Sequence, residues 1–175
     1  MLFTLIRFLL GMEQPGRRPV ERVSTAVPAI PGTQPAKVLW VIDGDSVLVR
    51  MADFEVRIRL DSIDCPEDGQ QWGDIAKYGL MKLISRRTVL VEQFGADRHG
   101  RTLGTLYVYN KAKGQYVNVN ERMVLLGHAW VYRQYYAHLP RARQDALNRM
   151  ERWASSRKVG LWGRPDPIPP WEWRR

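Results

Sequence analysis

Residues 54–60, FEVRIRL, alternate strictly between apolar and charged side chains. An extended chain would place the apolar members on one face: Phe54, Val56, Ile58 and Leu60. Such period-two alternation is typical of a half-buried β-strand. Two further apolar runs precede this stretch, KVLWVI at 37–42 and DSVLVRM at 45–51, and an Asp-Gly turn connects them. Three strands with short connections predict a β-meander.

Downstream of the meander, the sequence predicts more strands and helices. The predicted elements are a helix over 70–85, strands TVLVEQF (88–94) and LGTLYVY (103–109), and helices over 118–127 and 140–158. Five strands with a helix inserted after the third predict an α+β, mainly β fold, a small mixed β-barrel with about three helices packed on it. The tail, LWGRPDPIPPWEWRR (161–175), is rich in Pro and Trp and is expected to lie extended over the domain surface.

The N-terminal segment, residues 1–36, differs from the rest in composition. Residues 1–10, MLFTLIRFLL, are apolar around Arg7, and 13–36 contain five prolines, as in a linker. Two interpretations stay open. The segment is a signal or anchor, with small residues at 24–29 for cleavage, or the chain starts at Met12 without one. The first implies a secreted, periplasmic or membrane-anchored protein, the second a cytoplasmic one. We divide the chain into 1–36, a folded domain at 37–165 and a tail at 166–175.

Charge and cysteine content exclude several classes of protein. The chain has 27 Lys and Arg against 18 Asp and Glu, a net charge of +9, and residues 128–175 carry ten basic and four acidic side chains. Such a net charge suggests that the protein binds a polyanion, either nucleic acid or an anionic membrane, and the alternative is a basic surface that only confers solubility. Its single cysteine, Cys65, excludes an intrachain disulfide and a multi-thiolate zinc site. No apolar run approaches the roughly 18 residues of a membrane span.

Carboxylates cluster in two short segments, DGDS at 43–46 and DSIDCPE at 61–67, each at the end of a predicted strand. Side chains at strand ends can converge on one point, and so many carboxylates together are unfavourable unless a cation neutralises them. Oxygen ligands suit a hard cation, calcium or magnesium. An Asp-Gly turn alone would explain the first segment but not the second.

Arginines accompany these carboxylates. Arg59 lies on the charged face of 54–60, and Arg98 and Arg101 lie in the loop before the last predicted strand. Guanidinium groups bind phosphate oxygens in bidentate fashion and stay charged at any working pH. A hard cation flanked by arginines suits phosphodiester hydrolysis, because both neutralise the charge that develops on the phosphate oxygens. Glu67 is best placed along the chain to orient or deprotonate the attacking water.

Three ordered motifs, VIDGDS (41–46), RLDSIDCPE (59–67) and DRHGR (97–101), resemble the signature of the staphylococcal-nuclease (thermonuclease) family. The resemblance covers roughly 37–165 and includes RTLGTLYV (101–108), VNERMVLLG (119–127) and GLW (160–162). It implies a five-stranded OB-fold β-barrel with helices packed on it. It also implies an endonuclease that uses one calcium ion to cleave DNA and RNA, leaving 3′-phosphate ends.

The resemblance also assigns roles to individual residues. It implies that Asp45 and Asp64 bind the calcium ion directly, that the backbone carbonyl of Cys65 is another ligand, and that Asp43 acts through water. Cys65 replaces the usual Thr, which should matter little because the contact is through the main chain. One alternative to an enzyme stays open, a non-catalytic nucleic-acid-binding OB module. A further hypothesis, membrane contact through the N-terminus and the basic surface, is compatible with an enzyme.

The implied catalytic residues are Arg59, Glu67 and Arg101, of which the arginines would clamp the phosphate. The implied substrate-binding residues are Arg98, His99 and Tyr135. Arg98 and His99 replace a Lys-Tyr pair of the family, and a loop histidine is also typical of an ordinary surface residue. We expect Cys65 to be a small buried side chain rather than a nucleophile, and we expect the protein to be a monomer.

Overall fold

A computed structural model describes residues 29–175 of the chain. Within that range eight strands are present: β1 (Thr33–Val41), β2 (Ser46–Met51), β3 (Phe54–Leu60), β4 (Ile63–Asp64), β5 (Thr88–Ala96), β6 (Thr102–Asn110), β7 (Gln115–Asn118) and β8 (Trp130–Val131). Six of them form a sheet in the order β3-β2-β1-β5-β6-β7. A parallel pairing of β3 with β6 closes five of these strands into a barrel. The short strands β4 and β8 pair separately.

The barrel is closed around the apolar face that the alternation predicts. Val47, Val49 and Ile58 are completely buried, and the antiparallel register pairs Val47 with Ile58 and Val49 with Val56. Phe54, at the start of β3, is instead largely exposed. The predicted five-stranded, OB-type barrel in an α+β, mainly β fold is therefore confirmed.

Four α-helices pack on this barrel or follow it: α1 (Gly73–Ile84), α2 (Val119–Leu125), α3 (Arg141–Ser156) and α4 (Pro170–Trp173). α1 begins three residues later than predicted because Trp72 adopts a left-handed conformation, φ 79°, that a helix cannot contain. α2 begins after Asn118, whose side chain accepts a hydrogen bond from the Glu121 NH and caps the helix. The residues just before that cap form β7, which the sequence analysis does not predict.

Both ends of the described chain differ from expectation. β1 begins at Thr33, within the segment of linker composition, and residues 33–36 pair with β5. The tail is not extended throughout, since Pro170–Trp173 form the short helix α4. The apolar segment and the proposed cleavage region up to residue 28 lie outside the described residues. No helix in 29–175 is long and apolar enough to cross a membrane.

His128 links α1 to the segment that follows α2. Its Nδ1 accepts a hydrogen bond from Trp72 Nε1 at 3.2 Å, and its ring lies against Gly79 of α1, where a β-carbon would come within 2.6 Å. Burial, together with the charge of Lys82, lowers the pKa of His128 below its ordinary value. Folding therefore favours the neutral form of the His128 imidazole.

This environment predicts a specific pH dependence of stability. Because the pKa of His128 is lower in the folded state, protons bind the unfolded chain preferentially once the pH falls below about 6.5. The His128 contribution is complete above that pH and is lost as the pH falls through the folded-state pKa. We expect His128→Asn, which keeps an acceptor for Trp72 but cannot titrate, to lose less stability than the wild type between about pH 7.5 and pH 5. Urea unfolding at both pH values measures the difference, and equal losses in the two proteins would contradict it.

Candidate active site

The first carboxylate segment forms a tight turn between β1 and β2. The backbone NH of Asp45 donates to Asp43 Oδ1 at 2.9 Å, so Asp43 shapes the turn. Gly44 permits it, because a β-carbon there would come within 2.7 Å of the Cys65 β-carbon. The Asp45 side chain consequently faces the second segment, and its Oδ2 accepts a hydrogen bond from the Cys65 NH at 2.7 Å. The two acidic segments therefore meet.

Arg59, at the end of β3, lies between the two segments. Its Nη1 is 3.0 Å from Asp45 Oδ2, and its Nη2 donates to Asp64 Oδ1 at 2.6 Å. Nη1 also donates to the backbone carbonyls of Leu60 and Ile63. Asp64 is held in the β4–β8 pair with no solvent exposure. Arg59 thus fixes two buried carboxylates in place while its own donors are largely used.

Burial and neighbouring charges shift the pKa values of Asp45 and Arg59. Burial raises the pKa of Asp45 to about 8, and Asp43 and Asp64 add to this rise despite the opposing effect of Arg59. Burial opposes the charge on Arg59 as well, yet Asp45 and Asp64 raise its pKa above the ordinary value. Burial therefore makes ionisation of Asp45 costly, and a cation bound beside this carboxylate would favour its ionised form.

The Cys65 side chain belongs to the core rather than to the chemistry. It is almost completely buried, and its Sγ donates to the Gly44 carbonyl at 3.2 Å. Burial and the neighbouring Asp45 raise the pKa of the thiol well above its ordinary value. A thiol held in its protonated form is a poor nucleophile.

Glu67 is half-buried in the loop between β4 and α1, and two contacts hold its backbone. Its NH donates to Gln70 Oε1 at 2.9 Å. Its carbonyl lies so close to the first residue of α1 that a β-carbon on Gly73 would be 2.1 Å from the carbonyl oxygen. The start of α1 therefore fixes the position of the loop that carries the Glu67 carboxylate.

Arg101 lies just before β6 and reaches the same end of the barrel. Its Nε donates to Asp97 Oδ2 at 2.8 Å, and its Nη1 approaches Ser46 Oγ at 3.4 Å. Although burial opposes it, hydrogen bonds from the backbone and side chain of Arg101 and from the His99 NH lower the pKa of Asp97. In the described part of the chain, Arg101 Nη2 has no hydrogen-bond partner. This arginine is anchored but retains a donor for a ligand.

The predicted substrate-binding residues lie further out. Arg98 and His99 are exposed, and Arg98 Nε donates to His99 Nε2 at 3.1 Å. Tyr135 is 54% exposed, and its ring packs edge-on against Tyr132 with centroids 4.8 Å apart. Among residues 29–175, none of the three forms a hydrogen bond or ion pair with the site carboxylates. Their role in substrate binding stays a prediction.

Other residues that contact the site or its acidic segments have no signal in the local sequence. Arg174 in the tail forms ion pairs with Asp64 and Glu67. Asp61, within the second acidic segment, faces away from the site and pairs with His138 at 2.9 Å. The buried side chain of Asn120 donates to the carbonyls of Asp61 and Gly104. No local sequence pattern predicts these long-range contacts. Asn120 does belong to the VNERMVLLG motif, and that motif is the only sequence signal connected with any of them.

The donor set fits a hard cation. Asp45 and Asp64 offer carboxylate oxygens, Cys65 directly follows Asp64 and adds its backbone carbonyl, and Asp43 is close enough to raise the pKa of Asp45. In residues 29–175 no three side chains of Asp, Glu, His or Cys are gathered as a ready-made metal cluster. A cation site made of two carboxylates, one main-chain carbonyl and water does not need such a cluster of three side chains. Fold and site together define a class: OB-type barrel proteins with a carboxylate–arginine centre suited to phosphate chemistry.

Comparison with known proteins narrows this class. Residues 57–164 match the family model described as staphylococcal nuclease homologue. Protein ParB of Escherichia coli is 41% identical over 142 residues, which cover 79% of this chain and 78% of the relative. A protein of Shigella flexneri named micrococcal nuclease is 38% identical over 142 residues, 79% of each chain. A protein of Escherichia coli O157:H7 named uncharacterized endonuclease is 39% identical over 138 residues, 79% of this chain and 83% of the relative.

The chain therefore belongs to the staphylococcal nuclease family. Relatives named as nucleases and endonucleases support a nuclease function and, with it, a nucleic acid as substrate.

Proposed function

We propose that this protein is a calcium-dependent endonuclease that hydrolyses phosphodiester bonds of DNA and RNA and leaves 3′-phosphate ends. One observation carries the proposal: side chains from three separate segments are linked at one end of the barrel. Arg59 joins Asp45 to Asp64, and Arg101 reaches Ser46 beside them. We propose that residues 37–165, with the preceding part of β1, form the catalytic domain and act as a monomer.

Asp45, Asp64 and the Cys65 carbonyl would hold the calcium ion, with Asp43 acting through water. The bound ion would neutralise charge that develops on the phosphate oxygens. Arg101 would donate to a phosphate oxygen from Nη2, which has no partner within residues 29–175. Arg59 would act through its fixed charge and by holding Asp45 and Asp64 in place, because its Nη1 and Nη2 are already hydrogen-bonded.

Glu67 would accept the proton of the attacking water, since its carboxylate is half-exposed at the edge of the carboxylate cluster. The water oxygen would form the new bond to phosphorus while the bond from phosphorus to the 5′-oxygen breaks. The phosphate then stays on the 3′-oxygen. The 5′-oxygen takes a proton from solvent as it leaves, and Glu67 returns its proton to solvent, so that protons balance. Arg98, His99 and Tyr135 remain candidates for contacts with the rest of the nucleotide chain.

Removal and return of calcium tests the proposal. We expect no cleavage of single-stranded DNA or RNA in excess EGTA, and full cleavage when calcium exceeds the chelator. The product ends should resist extension by an enzyme that requires a 3′-hydroxyl until they are treated with a phosphatase. Thermal unfolding in EGTA is the control that the protein remains folded.

Three outcomes would contradict the proposal. Undiminished cleavage in EGTA would show that the reaction does not require calcium. Products with 3′-hydroxyl ends would place the broken bond on the other side of the phosphate. Binding of nucleic acid without cleavage in calcium would favour the non-catalytic OB module instead. Membrane contact through the N-terminus stays a prediction.

A further inference from the structure

The C-terminal tail is docked against the loop that carries Glu67. Gln70 connects the two, because its Oε1 accepts from the Glu67 NH while its Nε2 donates to the Ile168 carbonyl at 2.6 Å. The Trp171 ring stacks on Tyr132 with centroids 5.4 Å apart and planes 4° from parallel. Pro170, at the start of α4, is buried. These contacts hold the tail in place independently of any charge.

The docked tail delivers one arginine to the site. Arg174 Nη2 is 2.7 Å from Asp64 Oδ2, its Nη1 is 3.3 Å from Asp64 Oδ1, and Nη1 also contacts Glu67 Oε1. Asp64 Oδ1 also accepts from Arg59, so both oxygens of this carboxylate are bound to guanidinium groups. The neighbouring Arg175 makes only a backbone hydrogen bond to Glu172, within residues 29–175.

A calcium ion and the Arg174 guanidinium would compete for the same oxygens. Calcium binds carboxylate oxygens at about 2.3–2.6 Å, and two positive groups at one carboxylate repel each other. A calcium ion on the Arg174 side of Asp64 therefore displaces this guanidinium. A protein in which only some molecules are free to bind has a correspondingly weaker apparent affinity.

We propose that Arg174 is a built-in counter-ion that closes the active site in the absence of calcium and is displaced when calcium binds. This proposal rests on the proposed function, since it concerns the same site. The tail then sets the calcium concentration at which the enzyme becomes competent, and it shields Asp64 and Glu67 from each other's charge until that point. Glu67 becomes free to accept a proton only when Arg174 has left.

Calcium titration of the full chain by isothermal calorimetry tests this competition without reference to activity. Arg174→Gln removes the competing charge, and Arg175→Gln is a matched control that lowers the net charge equally. The Arg174 side chain is partly exposed, so neither variant should disturb the fold, and thermal unfolding verifies this. We expect calcium to bind Arg174→Gln about tenfold more tightly than the wild type, the gain that follows if Arg174 closes the site in about nine-tenths of calcium-free molecules. Arg175→Gln should bind calcium as the wild type does.

The outcomes separate this proposal from the proposed function. If the wild type binds calcium and cleaves nucleic acid, but Arg174→Gln and Arg175→Gln share one dissociation constant, the competition is wrong and the proposed function stands. Weaker calcium binding by Arg174→Gln would also overturn it. An unchanged isotherm with slower cleavage at saturating calcium would assign Arg174 to the substrate instead. If none of the three proteins binds calcium, both proposals fail.

Discussion

Substitution of Glu67 by Gln is expected to lower the rate of cleavage at saturating calcium by about 10²- to 10⁴-fold, the usual contribution of a general base. Gln keeps the size of the side chain but cannot accept the proton of the attacking water. The effect should appear in kcat rather than in KM, because substrate contacts are left in place. Single-turnover cleavage of a short labelled strand measures it directly.

Asp68→Asn is the matched control for Glu67→Gln. Asp68 is the adjacent exposed carboxylate, and among residues 29–175 it forms no ion pair. Both variants change the net charge by the same amount, so a general electrostatic effect on nucleic-acid binding would appear in both. A rate for Glu67→Gln within about threefold of that for Asp68→Asn would show that Glu67 is not the base.

The barrel is predictable from sequence because its signal is local. The alternation in 54–60 determines which side chains face the core, and Asp43-Gly44 marks the turn between β1 and β2. The same local logic locates the acidic segments, since each follows a strand end. β7 escapes prediction because it has only four residues and is continuous with the helix that Asn118 caps.

The contacts that complete the site are not predictable in this way, because they join residues far apart in the chain. The pair between Arg174 and Asp64 depends on how the tail crosses the surface, and the pair between His138 and Asp61 depends on the loop before α3. Composition indicates that the Pro/Trp-rich tail lies on the domain. It does not indicate that the tail ends at the carboxylates.

The structure shows that several of the surplus basic residues in 128–175 form ion pairs within the protein. Arg143 pairs with Glu92 and donates to Thr105, Arg133 pairs with Glu151, and Arg174 faces the site. Several of these charges therefore hold the helices and the tail onto the barrel. A count of charges by segment cannot separate these arginines from those that are free to attract a polyanion.

Substitution of the two arginines of the site is expected to have different effects: loss of Arg59 lowers stability, and loss of Arg101 lowers the rate of cleavage. Arg59 is 8% exposed and contacts two buried carboxylates. Within residues 29–175, Arg59→Gln leaves Asp45 without a counter-ion and Asp64 with Arg174 alone. Breaking a buried ion pair in this way costs about 3–5 kcal/mol of the free energy of unfolding. Arg101 is more exposed and anchored chiefly to Asp97. Arg101→Gln should cost about 1 kcal/mol or less of stability but lower the rate of cleavage by about 10²- to 10³-fold.

Urea unfolding of the wild type and both variants in EGTA, followed by cleavage assays in calcium, separates these effects. The chelator matters because a bound cation would replace part of the charge that Arg59→Gln removes and so conceal its loss. If Arg101→Gln destabilised the fold as much as Arg59→Gln, its slower cleavage would be a folding effect and its role as a phosphate ligand would lose support. If Arg59→Gln unfolded like the wild type, Asp45 and Asp64 would not depend on it for charge balance. Both roles are supported only if two results are found together. Arg59→Gln must lower the free energy of unfolding, and Arg101→Gln must slow cleavage while its free energy of unfolding stays close to that of the wild type.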